Sequence, residues 1–252
     1  MAMATVENNH LENIAAFFHA GIRELAHLNL PSTLLDFGCG AGQLVKDFCN
    51  MGYDAYGCDV WTTYTQKPVN ERLSEIQLNP YRLPFEDNHF DIVVSTSVLE
   101  HAQNTEECFQ EIYRVLKPSG YAMHLFPGKW YLPSEPHIYV PLANWFWPHC
   151  PKWWLMLWAM LGIRNEFQKS TDWKATYLAN EQYCKQGLCY RSTKYYEDLC
   201  MEIFKNYAWP MKFYINHAPG GLNKILRKLP FQSILGALSK EFRMGFLVTQ
   251  KK

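Results

Sequence analysis

The chain has no surplus of either charge: 24 Lys and Arg balance 24 Asp and Glu over 252 residues. With no net charge, nothing global would draw the chain onto a polyanion, so nucleic acid is not an expected partner. The eight cysteines include no C-x-x-C pair, and several lie inside apolar runs, which argues for reduced thiols rather than a disulfide framework. His149 and Cys150 could be imagined as ligands with Cys184 and Cys189, but that grouping lacks the tight paired spacing of structural zinc sites, so no metal site is expected. The N-terminus has no basic region followed by an apolar core, and a cytoplasmic protein is expected. Pro148, Pro151 and Lys152 interrupt the apolar stretch from Trp145 to Trp158, leaving it short of the roughly 20 residues a spanning helix needs. Internal repeats and low-complexity tracts are also absent, which removes solenoid and disordered architectures.

What is present is hydrophobic residue in quantity, 48% of the chain, enough for one α/β core with a large insertion. From Asn9 to Leu28 the residues Leu11, Ile14, Ala15, Phe18, Ile22 and Leu25 recur at three and four, describing an amphipathic helix that Pro31 ends. Thr33–Asp36 then reads as a strand, Leu44–Asn50 as a helix stopped near Gly52, and Ala55–Asp59 as a second strand. Phe90–Ser95 is another buried strand. Asn104 and Glu107 form a candidate capping box, Phe109, Ile112, Tyr113 and Leu116 give the following helix one apolar face, and Lys117–Gly120 stops it before a strand at Tyr121–Phe126. This alternation is that of an open, mostly parallel sheet, whose ligands sit at the strands' carboxyl ends.

The alternation stops after Phe126. Residues 127–206 are dense in Trp, Tyr, His and Pro and far exceed an ordinary connection, so an inserted lid is expected there. Tyr207–Ile215 and Phe242–Thr249 read as the last two strands, with a helical excursion through Leu222–Leu238 between them. The division is then 1–126 for the first helix and the ligand-binding core, 127–206 for the lid, and 207–252 for the strands completing the sheet.

Chemistry concentrates at Asp36-Phe37-Gly38-Cys39-Gly40-Ala41-Gly42, where a strand ends in an acid and passes through alternating glycines into a helix. Such a loop closes its backbone around a nucleotide-like ligand, and Asp59, about 20 residues on, ends the next strand where a carboxylate accepts two ribose hydroxyls. A dinucleotide site would need G-x-G-x-x-G to seat a pyrophosphate on the helix N-terminus, whereas Gln43 follows Gly42 here. Asp36 would also repel a pyrophosphate and suits a cation.

With Leu83-Pro84-Phe85 ahead of Phe90-Asp91, Leu99-Glu100-His101, and Arg114-Val115-Leu116-Lys117-Pro118-Ser119-Gly120, these motifs make residues 30–126 resemble a class I S-adenosylmethionine-dependent methyltransferase of the type 11 small-molecule subgroup. The resemblance implies a Rossmann-like, seven-stranded, mostly parallel sheet with helices on both faces, an antiparallel last strand and the aromatic-rich lid. It implies S-adenosyl-L-methionine as cofactor and S-adenosyl-L-homocysteine as product. Carried over, Gly38, Gly40 and Gly42 line the methionine part, Asp36 orients its amino group, Asp59 holds the ribose and Val60 packs on the adenine. Asn79 falls where the adenine amino group is usually contacted, and Ser95, Thr96 and Ser97 should border the sulfonium. Pro80 departs from the pattern, because the backbone N–H that commonly meets the adenine ring is missing.

Glu135, His137 and Tyr139 follow the strand at Tyr121–Phe126, in the region where acceptor contacts commonly lie in this architecture. His137 is the preferred base, with Glu135 beside it and a plain loop role as the other reading. His101, next to Glu100, is a further catalytic candidate, read first as shaping the pocket. The expected reaction is in-line O-methylation of a small-molecule acceptor, a secondary metabolite or sugar, without a metal. The alternatives are a peripheral methyltransferase on a lipid-like substrate and a protein that holds the cofactor without methyl transfer. Weak membrane contact has its rationale in Trp153, Trp154 and Trp158 and in Lys224, Arg227 and Lys228 beside Leu222, Ile225, Leu226 and Leu229, although core packing is the first reading of both stretches.

Overall fold

The computed structural model describes residues 14–61 and 68–252. Helix α1 covers the described residues 14–24; the start of the expected helix, at residues 9–13, lies outside them. The core then runs β1 (Thr33–Phe37), α2 (Gln43–Asn50), β2 (Asp54–Asp59), β3 (Leu73–Glu75), a small hairpin of β4 (Gln77–Leu78) and β5 (Tyr81–Arg82), β6 (Phe90–Thr96), α3 (Thr105–Val115) and β7 (Leu116–Pro127). The insertion holds α4 (Lys152–Met160), a short 3-10 turn at Glu166–Gln168 and α5 (Trp173–Gln186). Then come α6 (Thr193–Ile203), α7 (Met211–His217), α8 (Gly221–Leu226), α9 (Gln232–Phe242) and β8 (Met244–Gln250).

The main sheet has the order β3-β2-β1-β6-β7-β8, all parallel except β8, which pairs antiparallel with β7. The chain moves outward from β1 to β3 and then returns to β6 on the other side, so the order reverses between β1 and β6. In open sheets of this kind ligands bind at the carboxyl ends of two such strands. Side chains alternate between two cores. Leu34, Ile92, Val94, Met123 and Phe246 pack with α1, α2 and α7, while Leu35, Val93, Ala122, Phe126 and Leu247 pack with α3 and α6. A third cluster, built on Ile138, Val140, Leu155, Leu188 and Tyr190 with Trp147, Trp154 and Trp158 against it, is the insertion's own core.

Among the described residues the sheet has six strands, not seven. The expected strand at Tyr207–Ile215 shrinks to a single bridge between Ala208 and Val248, and α7 follows. Pro210 has no N–H for a ladder, and the buried residues Met211, Tyr214, Ile215 and Ala218 recur at helical spacing. The capping box also fails: the Asn104 amide donates to Glu107 Oε2 at 2.9 Å and makes no bond to the backbone of α3. Lys117–Gly120 does end α3, but as a bulge inside β7, where the pairing slips from Phe90↔Leu116 to Ile92↔Tyr121. Helix α6, inside the stretch read as lid, packs with α3 on the core.

The aromatic stretch divides. Trp154, Leu155 and Trp158 face the third cluster, whereas Trp153, Met156 and Leu157 are exposed, against the core packing expected of that run, as are Met160 and Leu161 beyond it. Ile225, Leu229, Phe231, Ile234 and Leu238 of the α8–α9 region are likewise exposed. No described helix is long and apolar enough to cross a membrane.

Candidate functional site

At the carboxyl end of β1 the chain turns sharply: the N–H groups of Gly38 and Cys39 both donate to the Cys58 carbonyl, at 2.8 and 3.1 Å. Gly38 has φ +79, and a Cβ there would lie 2.2 Å from Val98 Cγ2, so backbone and packing both require glycine. Gly40, with φ +52, has open space where a side chain would stand. Its N–H donates to Asp59 Oδ2 at 2.6 Å, and the Val60 N–H donates to Oδ1 at 2.6 Å. Asp59 is thus fixed at the tip of β2 by two backbone donors, keeping lone pairs for a diol. Gly42 begins α2 without a side-chain cap, which leaves the first-turn N–H groups of that helix for solvent or a ligand.

Asp36 is the unusual member. It is 1% exposed, and neither carboxylate oxygen has a hydrogen-bond partner. Burial, with the charge of Asp59 adding to it, pushes its pKa up to about 7. A buried acid without a partner is costly unless something cationic completes it. Asp36, the open side of Gly40 and the fixed Asp59 carboxylate fit an elongated ligand with a cationic amino group at one end and a ribose at the other.

The other sequence-assigned residues fall into two groups. Val60 is half-buried beside Asp59, Thr96 ends β6, and Ser97, at φ +53, donates its N–H to the Leu125 carbonyl at 2.8 Å. These lie at the carboxyl ends of β2 and β6. The Ser95 hydroxyl instead bonds His124 Nδ1 at 2.8 Å in the α3-side core, where burial lowers His124 to about 3 and keeps it neutral. Asn79 is exposed at the tip of the β4–β5 hairpin, its carbonyl accepting from Gln77 Nε2 at 3.2 Å.

A second cluster lies where the loop after β6 meets the insertion. Glu135 is fully buried and accepts from the N–H groups of His137 and Ile138 at 2.8 Å each, from His137 Nδ1 at 2.7 Å and from the Tyr190 hydroxyl at 3.0 Å. Burial alone would raise its pKa, but the His137 ring and these backbone donors bring it below the ordinary value. The same carboxylate raises His137, overcoming the opposing effect of burial. His101 Nδ1 donates to the Gly187 carbonyl at 2.6 Å, and burial lowers its pKa. Its Nε2 faces His137 Nε2 at 3.3 Å. Glu100 is 1% exposed, its carboxylate has only its own N–H and the Ser97 hydroxyl nearby, neither in good hydrogen-bond geometry, and burial pushes it up to about 8. Ligand atoms of Glu100, His101 and His137 lie within 4.8 Å of one another, a grouping that could hold a metal ion where the sequence reading expected none.

His137, Tyr139, Asn165, Phe167 and Tyr183 line a cleft of about 440 Å³ on the insertion side of this cluster. The sequence reading did not identify Gly187, Tyr183 or Tyr190 as contributors. They lie far along the chain from their partners, and no local pattern marks a contact of that span.

Residues 35–124 match the family model described as "Methyltransferase domain". The chain is 27% identical over 122 residues to the sterol 4-C-methyltransferase strm-1 of Caenorhabditis elegans, covering 45% of this chain and 36% of that one. It is 32% identical over 111 residues to a sterol 24-C-methyltransferase of Pneumocystis carinii, covering 40% and 28%. It thus spans about a third of the length of these relatives. In fold it is similar to phosphoethanolamine N-methyltransferase 2 of Haemonchus contortus, solved with phosphomonomethylethanolamine and S-adenosylhomocysteine. The TM-score is 0.50 at 14% identity, over 92% of this chain and 52% of that one.

Proposed function

We propose that this chain, whose residues 35–124 match the methyltransferase family and whose sheet has the fold of that class, transfers the methyl group of S-adenosylmethionine to a small-molecule acceptor. The observation that carries the reading is Asp36, a buried acid without a partner at the carboxyl end of β1, where the sheet order reverses. Asp36 holds the amino group, the Gly38–Gly42 turn lies along the methionine part, Asp59 takes the ribose hydroxyls and Val60 meets the adenine. Thr96 and Ser97 border the reacting end, and Asn79 would reach the adenine only from the hairpin tip.

The bound cofactor supplies an already activated methyl on a sulfonium. What remains for the protein is to position the acceptor in line, exclude water and accept a proton. The acceptor enters the cleft beside His137, whose Nδ1–H is fixed on Glu135 so that Nε2 is the free basic atom, with His101 opposite it. Oxygen is the attacking atom of this proposal, in a secondary metabolite or sugar, and the eight free cysteines fit a reducing, cytoplasmic setting. His137→Ala is expected to reduce kcat by about 10²- to 10⁴-fold with the acceptor at saturation.

The decisive test is calorimetry with S-adenosylmethionine, S-adenosylhomocysteine and NAD. Binding of the first two alone, weakened in Asp59→Ala, supports the assignment; NAD binding or no binding removes it. A lipid-like acceptor is the second reading, favoured by exposed Trp153, Met160, Leu161, Ile225, Phe231 and Ile234 together with Lys224, Arg227 and Lys228. Flotation with anionic liposomes separates the two: a protein that stays at the bottom of the gradient excludes it.

A further inference from the structure

The hydrogen bonds around His101 and His137 fix where their lone pairs point. The Gly187 carbonyl can only accept, so His101 Nδ1 carries a hydrogen; the ionised Glu135 imposes the same on His137 Nδ1. In the neutral rings both Nε2 atoms are then bare acceptors, and they face each other at 3.3 Å. Two lone pairs at that distance repel, so the contact needs a positive charge between them, either the Nε2 proton of a His137 imidazolium held on Glu135 or a metal ion. A metal bound to two imidazoles at zinc–nitrogen lengths and a tetrahedral angle places the nitrogens about 3.3–3.4 Å apart. Beside them stands Glu100, buried, without a cationic partner and with no well-formed hydrogen bond to either oxygen.

We infer that Glu100, His101 and His137 form a three-ligand site for a divalent transition-metal ion of the zinc type, facing the acceptor cleft. Two histidines and one glutamate with a fourth position open is a donor set used by catalytic zinc. The outer contacts match as well, since ligating histidines characteristically give their second N–H to a carboxylate or a backbone carbonyl, the roles of Glu135 and Gly187 here. The sequence concealed the site because Glu100 and His101 are adjacent, His137 lies in another segment, and no paired-ligand spacing results.

The inference rests on the methyl-transfer reading for what fills the fourth position, the acceptor's hydroxyl. Coordination there acidifies the hydroxyl, and its proton leaves to solvent. The oxygen lone pair then forms the O–CH3 bond while the C–S bond breaks and its electron pair stays on sulfur. His137 in this arrangement gives its lone pair to the ion, so the loss of rate in His137→Ala comes from the missing ligand rather than from a missing base.

The test uses the full chain after treatment with a chelator and dialysis. Zn²⁺ is titrated calorimetrically and Co²⁺ by visible absorption, with circular dichroism confirming that each variant is folded. The expected result is one equivalent bound with tetrahedral Co²⁺ bands. Glu100→Gln and His137→Ala each bind at least about 100-fold more weakly, and Glu135→Gln binds about 10- to 100-fold more weakly at unchanged stoichiometry. A Cys150→Ser, Cys184→Ser double variant binds as wild type does. Absence of stoichiometric binding, indifference to Glu100→Gln and His137→Ala, or loss in the cysteine variant overturns the site. S-adenosylhomocysteine titrated into the same stripped protein separates the two claims. If it binds and Zn²⁺ does not, the metal site alone falls; if Zn²⁺ binds and it does not, the methyl-transfer reading alone falls.

Discussion

Asp36 couples stability and binding in opposite directions. Its ordinary pKa of 3.8 rises to about 7 on folding, so between those values the folded chain holds more protons than the unfolded one. Stability of the ligand-free protein therefore falls as pH rises through that window and stays lower above it. Glu100, raised from 4.5 to about 8, acts with the same sign. Asp36→Asn is expected to raise the ligand-free Tm at pH 8, to have little effect near pH 4, and to weaken S-adenosylmethionine at least about 10-fold through loss of a charge-assisted contact. Scanning calorimetry at the two pH values checks it, and a lower Tm at pH 8 would reject the unpaired-acid account. The glycines separate in the same manner. Gly38→Ala must push Val98 aside at φ +79 and is expected to destabilise the fold most, whereas Gly40→Val is strained by φ +52 but meets open space and is expected to destabilise less while losing cofactor binding. Equal melting temperatures for the two variants would contradict this.

At the scale of elements, several motifs that suggested the family prove to be clamps. Arg114 donates to the Leu83 carbonyl at 3.0 Å and the Phe85 carbonyl at 2.8 Å, and pairs with Glu111 at 2.6 Å and Asp87 at 2.7 Å. It staples the Leu-Pro-Phe segment onto α3. Replacing it with methionine strands the half-buried Glu111, expected to cost about 2–3 kcal/mol and roughly 5–10 °C in Tm; a change under 1 °C would show the clamp to be idle. β1, α2, β2, β6 and α3 were legible because each depends on a local pattern: a strand run, a glycine punctuation, a 3.6-residue stripe. The strand expected at 207–215 was misread because its run of apolar residues fits either period, and Pro210 decides the matter. Ser95 and His124 face each other across neighbouring strands, and a period-two pattern does not say which side holds the ligand.

For the molecule as a whole, two neighbourhoods about 40 or more residues apart in sequence carry the candidate chemistry. The glycine loop and Asp59 were readable because they lie in one βαβ unit. The Glu100–His101–His137–Glu135 cluster was readable only as separate residues, since its assembly depends on the insertion folding back over β6. The same insertion leaves one side of α4 apolar and exposed, as the α8–α9 region does. On the lipid-like reading, the exposed apolar side chains of α4 and of the α8–α9 region, the latter close in sequence to Lys224, Arg227 and Lys228, are expected to give measurable partition onto phosphatidylserine liposomes, abolished by Trp153→Ser with Phe231→Ser. Identical flotation of wild type and double variant would remove those faces as the cause.

The seam between insertion and core has a further consequence, for recombination. His101 Nδ1 meets the Gly187 carbonyl, the Gln103 amide donates to the Leu188 carbonyl at 2.8 Å, and the Cys189 N–H donates to the Glu100 carbonyl. Residues 128–191 are therefore not a free cassette. A chimera that imports a foreign insertion inherits a mismatched seam unless Glu100, His101 and Gln103 travel with it, and the modular unit that evolution or a designer can exchange is the insertion together with that loop.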